Sequence, residues 1–357
     1  MGFPVGTTKI AAVKVAANAD YPNTTNNCIN FDLSKCSAAW WGAVTALSDI
    51  VVYDAVSDTL RPRYICPTSS IAGKTGWGVC DSAISPLGKT LYLCIVPGAG
   101  AVNAATAHTN SNCFSAHGYD VASGNIPDKT GAYTGTVSNC TYSQAGVICK
   151  SLLLNAANSR VDLGVITQVS GATQFSWVLL FSKNVIGSGG SFLWRASASS
   201  TDYLNIYFSG TDFGVTIRIG GVSSYGVVSN YPSFLTANVF SLLTIQYDGT
   251  QVNGNTALQN AARLKVQFDN SAKSITFSGA AIPAALPIVT DSSYAGYPTT
   301  NFEGKYDEDR YYSRPISLSE VALMYKNLKD HSNFATYSDY SLLRTPYSFN
   351  MGMAYVY

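Results

Sequence analysis

The 357-residue sequence predicts an all-β protein: an antiparallel β-sandwich, a smaller N-terminal β domain ahead of it, and one short C-terminal helix. Three observations carry that reading. Short runs of β-branched and aromatic residues alternate with polar ones at period two, as half-buried strands do. Gly, Asp or Asn closes most of these runs, which is the chemistry of tight turns. A persuasive helical period occurs once, at residues 317–331.

In chain order, the first half carries strand-like runs at "DIVVYDA" (49–55), "RPRYICP" (61–67), "WGVCDS" (77–82) and "KTLYLCIVPG" (89–98). Residues 99–135 are small, polar and Gly-rich with little periodicity, and place a junction near residue 112. The second half gives "SWVLLF" (176–181), "DYLNIYFSG" (202–210), "FGVTIRIGG" (213–221), "FSLLTIQYDGT" (240–250), "RLKVQFDNS" (263–271) and "SITFSG" (274–279). Strands at this spacing indicate an antiparallel sandwich. In "SLSEVALMYKNLKDH", Ser317 and Glu320 form a capping box, and Val321, Met324, Tyr325 and Leu328 share one face, which should lie against the sandwich edge. The expected domains are therefore 1–112 (a Cys-containing β domain), 113–340 (the sandwich) and 341–357 (an aromatic tail packed on this chain or a neighbour).

Composition narrows the function classes. Only 12% of residues are charged, against about a quarter in ordinary domains, and 22 Lys+Arg nearly balance 21 Asp+Glu. That balance argues against nucleic acid as main partner, since phosphate binding needs a basic excess. The apolar runs are far shorter than the roughly 20 residues that cross a bilayer, so no membrane insertion is expected. The start of the chain lacks a continuous apolar region, so a classical signal peptide is not expected. Eight cysteines all fall in the first 149 residues. None has C-x-x-C spacing and there are three histidines, which disfavours zinc and leaves disulfide pairing open.

The second half also resembles a laminin-G-like, concanavalin A-like jelly roll. "LLTIQYDGTQ" (242–251) is similar to the family strand ending in Tyr-Asp-Gly, and "RLKVQFDNSAKSITFSGAAIP" (263–283) to the next strand pair with its Gly-x-Ile-Pro exit. "FEGKYDEDRYYSRPISLSEVALMY" (302–325) resembles the closing strand-to-helix signature, with Asp309 where the family has an apolar residue. The first half resembles the small β domain that precedes such jelly rolls in bacterial surface proteins and tailed-phage proteins. It does so through "AAWWGAVTALSDIVVYDAVSDTLRPRYI" (38–65) and "GKTGWGVCDSAISPLGKTLYLCIVPG" (73–98).

The most charged stretch holds Asp307, Glu308 and Asp309. Strand alternation puts Asp307, Asp309 and Tyr311 on one face and Glu308, Arg310 and Tyr312 on the other, so the acids do not converge. A buried Asp309 would need Arg310, Arg314, a Tyr hydroxyl or an ion as partner. A structural role is preferred to a cation site or catalysis. Asp248, Asn253 and Asn255 offer oxygens of the kind calcium takes, although a Gly/Asn turn explains them as well. Tyr225, Tyr231, Tyr294 and Tyr297 lie in loop-like segments and are candidates to stack on sugar rings. Glu303 and Glu308 face opposite ways, against the paired carboxyls of a glycoside hydrolase. His108 and His117 near Cys113 are a weak case for a thiol enzyme. Asn23 and Asn139 match glycosylation sequons.

The expected protein is thus a non-enzymatic structural or adhesive subunit, extracellular or on a virion surface. The resemblance implies a tailed-phage setting, as capsid decoration or fibre, with homo-oligomeric and other subunit partners and with carbohydrate binding. The alternative is a lectin module of a bacterial surface protein, and behind that a glycoside hydrolase.

Overall fold

The computed structural model describes residues 3–22, 26–100, 106–109, 112–148, 150–156, 158–187, 191–197, 201–296 and 302–340. The strands follow in chain order: β1 (Lys9–Val15), β2 (Asn26–Asp32), β3 (Ile50–Asp54), β4 (Thr59–Arg61), β5 (Arg63–Ile65), β6 (Trp77–Ala83), β7 (Lys89–Ile95) and β8 (Cys113–His117). Next come β9 (Thr136–Ser138), β10 (Thr141–Ala145), β11 (Lys150–Leu154), β12 (Arg160–Asp162), β13 (Gln174–Lys183), β14 (Ser191–Ser197), β15 (Tyr203–Ser209) and β16 (Asp212–Ile219). The last group is β17 (Val222–Val228), β18 (Phe240–Asp248), β19 (Leu264–Phe268), β20 (Ser271–Ala272), β21 (Thr276–Gly279), β22 (Ser293–Gly296), β23 (Gly304–Tyr312) and β24 (Ala335–Tyr340). The helices are α1 (Ala38–Trp41), α2 (Thr106–Thr109), α3 (Thr256–Arg263), α4 (Leu318–Leu328) and α5 (His331–Phe334).

Two antiparallel sheets form the sandwich. One runs β10-β11-β23-β13-β18-β19-β20, with β8 also paired to β23; the other runs β21-β17-β16-β15-β14-β22-β12-β9. Their inner faces share one core, in which Trp177, Phe181, Leu243 and Tyr311 of the first meet Trp194, Ile206, Phe208 and Val215 of the second. The Trp177 and Trp194 rings lie 5.6 Å apart across the layers. Alternation in β15 to β17 places the apolar positions in this core and sends the polar and tyrosine positions outward.

The N-terminal unit holds a five-stranded sheet, β24-β1-β7-β3-β4, and a three-stranded sheet, β2-β6-β5. Its core contains Trp40 and Trp41, whose indole N–H groups donate to Leu93 O and Leu33 O. β24 comes from the stretch that sequence assigned to the sandwich (113–340), yet it is hydrogen-bonded to β1, from Ile10 opposite Tyr340 to Val15 opposite Ala335. The chain therefore closes back on its beginning. The tail 341–357 lies outside the described residues.

α4 is capped as its sequence requires: Ser317 Oγ accepts from Glu320 N, and Glu320 Oε2 accepts from Ser317 N at 2.8 Å. Val321, Met324 and Leu328 pack on Val178, Leu180 and Leu242. The helix thus covers the outer face of the first sheet at its central strands β13 and β18, not the edge. α3 is an addition that the hairpin reading of 246–256 missed; Asn255 caps it by accepting from Ala257 N and Leu258 N.

No disulfide joins the seven described cysteines to one another, and six of them are buried. Burial pushes Cys36 and Cys94 up to about 12. Cys149 lies outside the described residues.

Candidate functional site

The charged stretch becomes β23, and all residues from Tyr306 to Tyr312 are buried. A β-bulge separates the pairs Leu180–Glu308 and Phe181–Tyr306, leaving Asp307 without an opposite residue. Regular alternation therefore fails at Asp307, which leaves the face of Asp309 and Tyr311. Its Oδ2 accepts from Val147 N and Ile148 N, and burial pushes its carboxyl well above the ordinary carboxylate range.

Asp309 is fully buried and fully answered. Its Oδ2 accepts from Tyr119 and Tyr311 hydroxyls at 2.8 and 3.0 Å; its Oδ1 meets His117 Nδ1 at 2.8 Å and the His117 backbone N–H. His117 Nε2 lies 2.6 Å from Tyr133 O, a group that only accepts, so this nitrogen carries a proton. Burial alone would lower the His117 pKa; the Asp309 carboxylate outweighs it and raises it. The tyrosine partner was foreseen, whereas His117, 192 residues away, was not.

Glu308 and Arg310 face the other way, into the seam between the sandwich and the N-terminal unit. Arg310 donates to Glu308 Oε1 at 2.9 and 2.6 Å and to Asn30 Oδ1 of β2 at 2.8 Å. Lys129 Nζ donates to Glu308 Oε2 at 2.9 Å and sits 5.2 Å from the centre of the Tyr64 ring on β5. Burial would raise Glu308, but Lys129 and Arg310 together pull it down to about 2. Asn327 of α4 completes the seam, donating to Cys28 O and accepting from Asn30 N. Of the three acids, Glu308 joins the two units, while Asp307 and Asp309 are bound within the sandwich.

The other candidates separate in the same way. Asp248 closes a turn, with Oδ1 accepting from Thr250 Oγ1 and from Gln174 Nε2, and Oδ2 accepting from Gln251 Nε2. Asn253 Oδ1 accepts from Asn255 N, and Asn255 caps α3. The calcium candidates thus use their oxygens on neighbouring donors, and Asp309 sits on β23 with His117. Among the described residues no group of three or more His, Cys, Asp or Glu is placed to hold a metal. Glu303 is exposed while Glu308 is buried in the seam, so the two share no groove. Cys113 is buried, its thiol donating to Ser115 O at 3.2 Å and pushed well up by desolvation. His108 is buried near Tyr64, with ring centres 6.2 Å apart. Tyr231 is corrected: it is 0% exposed, packed 4.7 Å from Phe208 with its hydroxyl accepting from Gly187 N, and presents no face to a sugar. Tyr297 and Asn23 lie outside the described residues, and Asn139 is exposed.

Tyr225 and Tyr294 do come together with others, on the outer face of the second sheet. Cross-strand register runs Asp162–Tyr294–Arg195–Asn205–Thr216–Tyr225 from β12 to β17. Three strands lie between Tyr294 and Tyr225, a span of about 19 Å at the usual strand spacing. Tyr203 and Tyr207 flank Asn205 on β15, and all four tyrosines are half-buried. Gly214 makes room for the Tyr207 ring: a Cβ there would sit 2.6 Å from Tyr207 Cζ. Gly279 does the same for Tyr225, where a Cβ would sit 3.1 Å from Tyr225 Cδ2 and where φ of +77° already favours glycine. Glycines thus let tyrosine rings lie down on the sheet. A separate apolar groove of about 360 Å³, lined by Leu264, Val266, Ile275, Phe277 and Leu318, opens at the sandwich rim.

Fold and site together define an all-β, two-layer sandwich with one face welded to a smaller β unit and one face carrying half-exposed tyrosines. No protein-family model matches the chain. No curated protein matches it either. Solved structures similar to it include the botulinum neurotoxin serotype D binding domain (10% identity, TM-score 0.44, 60% of this chain and 51% of that one). Another is the botulinum neurotoxin type G receptor binding domain (15%, 0.44, 60% and 51%). A third is a Trypanosoma rangeli sialidase (10%, 0.46, 72% and 43%). The chain spans about half the length of the toxin domains it matches. At these values the likenesses add nothing to what the sheets themselves show.

Proposed function

We propose that the chain is a non-enzymatic adhesive module that binds glycans on the outer face of its second sheet. The observation that carries this reading is the set of half-exposed tyrosines, Tyr203, Tyr207, Tyr225 and Tyr294, around the row Arg195–Asn205–Thr216. Sugar rings present apolar faces and polar rims, and tyrosine offers an apolar body with a polar tip. The non-enzymatic part rests on the carboxylates: Glu308 is neutralised in the seam, and Asp309 is bound by four donors. The setting follows the first half's resemblance to the small β domain that precedes such jelly rolls: a repeated subunit on an extracellular assembly, a tailed-phage virion surface first among them.

Binding to a panel of immobilised polysaccharides tests the module. At least one glycan should be retained, and Tyr225→Ala with Tyr207→Ala should weaken it about tenfold while the melting temperature holds. Binding unaffected by these changes, or turnover of a polysaccharide, contradicts the reading. Electron microscopy of the native source tests the setting: repeated copies on a particle or filament are expected, and a dispersed monomer refutes it.

A further inference from the structure

The apolar groove at the sandwich rim lies apart from the tyrosine face and has its own chemistry. It forms where the chain leaves the first sheet for the second: β20 pairs only with Gln267 and Phe268 of β19, and the next strand, β21, is already the edge of the other sheet. Between them Leu264, Val266, Ile275 and Phe277 line one hollow of about 360 Å³ together with Leu318 of α4. Gly226 of β17 leaves space for these side chains: a Cβ there would sit 2.7 Å from Leu264 Cδ2 and 3.1 Å from Ile275 Cγ2. A single exposed leucine is ordinary on a protein surface, but Leu318, 65% exposed, stands at an apolar hollow and extends its lining. Charge at the groove has one sign. Lys265 and Lys273 line it, and among the described residues no Asp or Glu does. Lys265 is exposed and makes no ion pair among the described residues. Lys273 Nζ lies 4.0 Å from the centre of the Phe234 ring and 3.4 Å from Ser271 Oγ, and neither contact cancels its charge.

We infer that the groove binds an aliphatic carboxylate, a medium-chain fatty acid, with its alkyl chain along Leu264, Ile275, Phe277 and Leu318 and its carboxylate paired with Lys265 and Lys273. The volume stands at the lower end of the range for small-molecule pockets, about 300–1,000 Å³, which suits one unbranched chain. Lysine fits the mouth of such a groove, because its stem is apolar and its ammonium swings to follow a carboxylate. The inference is independent of the glycan-binding reading: the groove shares no residue with the tyrosine face, and a sugar has too little apolar surface to fill this lining.

Calorimetric titration of the full chain with hexanoate, octanoate and decanoate below their micellar concentrations, and with 1-octanol as the uncharged counterpart of octanoate, tests this. Affinity should rise about fourfold for each methylene added. 1-Octanol should bind about fivefold more weakly than octanoate, the worth of exposed ion pairs. Leu318→Asp, at an exposed position where the start of a helix favours an acid, should keep the melting temperature and weaken octanoate about tenfold. Lys265→Gln with Lys273→Gln should bring octanoate down to the level of 1-octanol. Equal affinity for octanoate and 1-octanol in the wild-type protein overturns the carboxylate assignment. Binding untouched by Leu318→Asp, or no binding of any of these ligands, overturns the site.

Discussion

The two outer faces of the sandwich are built from the same strand alternation and end in opposite states. On the first sheet, Val178, Leu180 and Leu242 point outward and are buried under α4 and the loops that join the N-terminal unit. On the second, the outward positions include Arg195, Tyr203, Arg218, Tyr225 and Tyr294, all half-buried. Charge is therefore buried on one side and stands at the surface on the other. Glu308 is paired with both Arg310 and Lys129 under cover, whereas Arg195 and Arg218 stack on a tyrosine at the surface.

The largest effects are expected at the covered seam. Glu308→Ala leaves Lys129 and Arg310 buried without their carboxylate, and should cost about 3–5 kcal/mol in urea unfolding. A change below about 1 kcal/mol, as at an exposed ion pair, would mean the seam is wet and loosely held. The same residue sets an acid limit. Its folded pKa, about 2, lies below the ordinary 4.5, so its contribution is complete above 4.5 and fades as pH falls toward 2. Unfolding curves from pH 6 to pH 2 should show that loss, and the Glu308→Ala protein, which keeps the other lowered carboxylates such as Asp54 and Glu320, should lose less.

His117→Ala should cost about 3 kcal/mol by stranding the Asp309 carboxylate between two tyrosines. Here the sign is reversed: the raised His117 pKa contributes fully below the ordinary 6.5, and the contribution is lost as pH rises through the raised value. Wild-type stability should therefore decline as pH rises from 6.5 through that raised value, and the variant should decline less over the same window. Asn255→Ala, which removes the α3 cap on an exposed turn, should cost about 1 kcal/mol. Tyr225→Ala on the open face should move stability by no more than about 0.5 kcal/mol, the usual range for a surface position; a large loss would make that face part of the packed core.

Much of this fold was legible because strand and cap signals are local. β15, β16, β18 and α4 were readable from alternation, closing turn residues and the Ser317/Glu320 box. α3 was not, although Asn255 followed by Thr-Ala-Leu-Gln is a helix start; the Gly and Asn just before it favoured a hairpin. Alternation also failed at Asp307, because a bulge depends on the partner strand and leaves no mark in its own residues. Tyr203 and Tyr207 of β15 could be read from alternation, whereas Tyr225 and Tyr294, read as loop residues, lie on β17 and β22. That Tyr225 and Tyr294 share one row, with the β15 tyrosines flanking it, depends on cross-strand register between segments far apart in the chain, which no local pattern encodes. Tyr231 shows the converse error: a loop position looked exposed, and tertiary packing on Phe208 buried it.

Glycan binding on the tyrosine face is tested most directly by side-chain footprinting of the whole chain with and without the polysaccharide it binds best. Protection is expected only at Tyr203, Tyr207, Tyr225 and Tyr294 with the adjoining arginines, with no change at the Asp248–Asn255 turn or at the rim groove of Ile275 and Phe277. Protection at either of those places, with the four tyrosines unchanged, would contradict it.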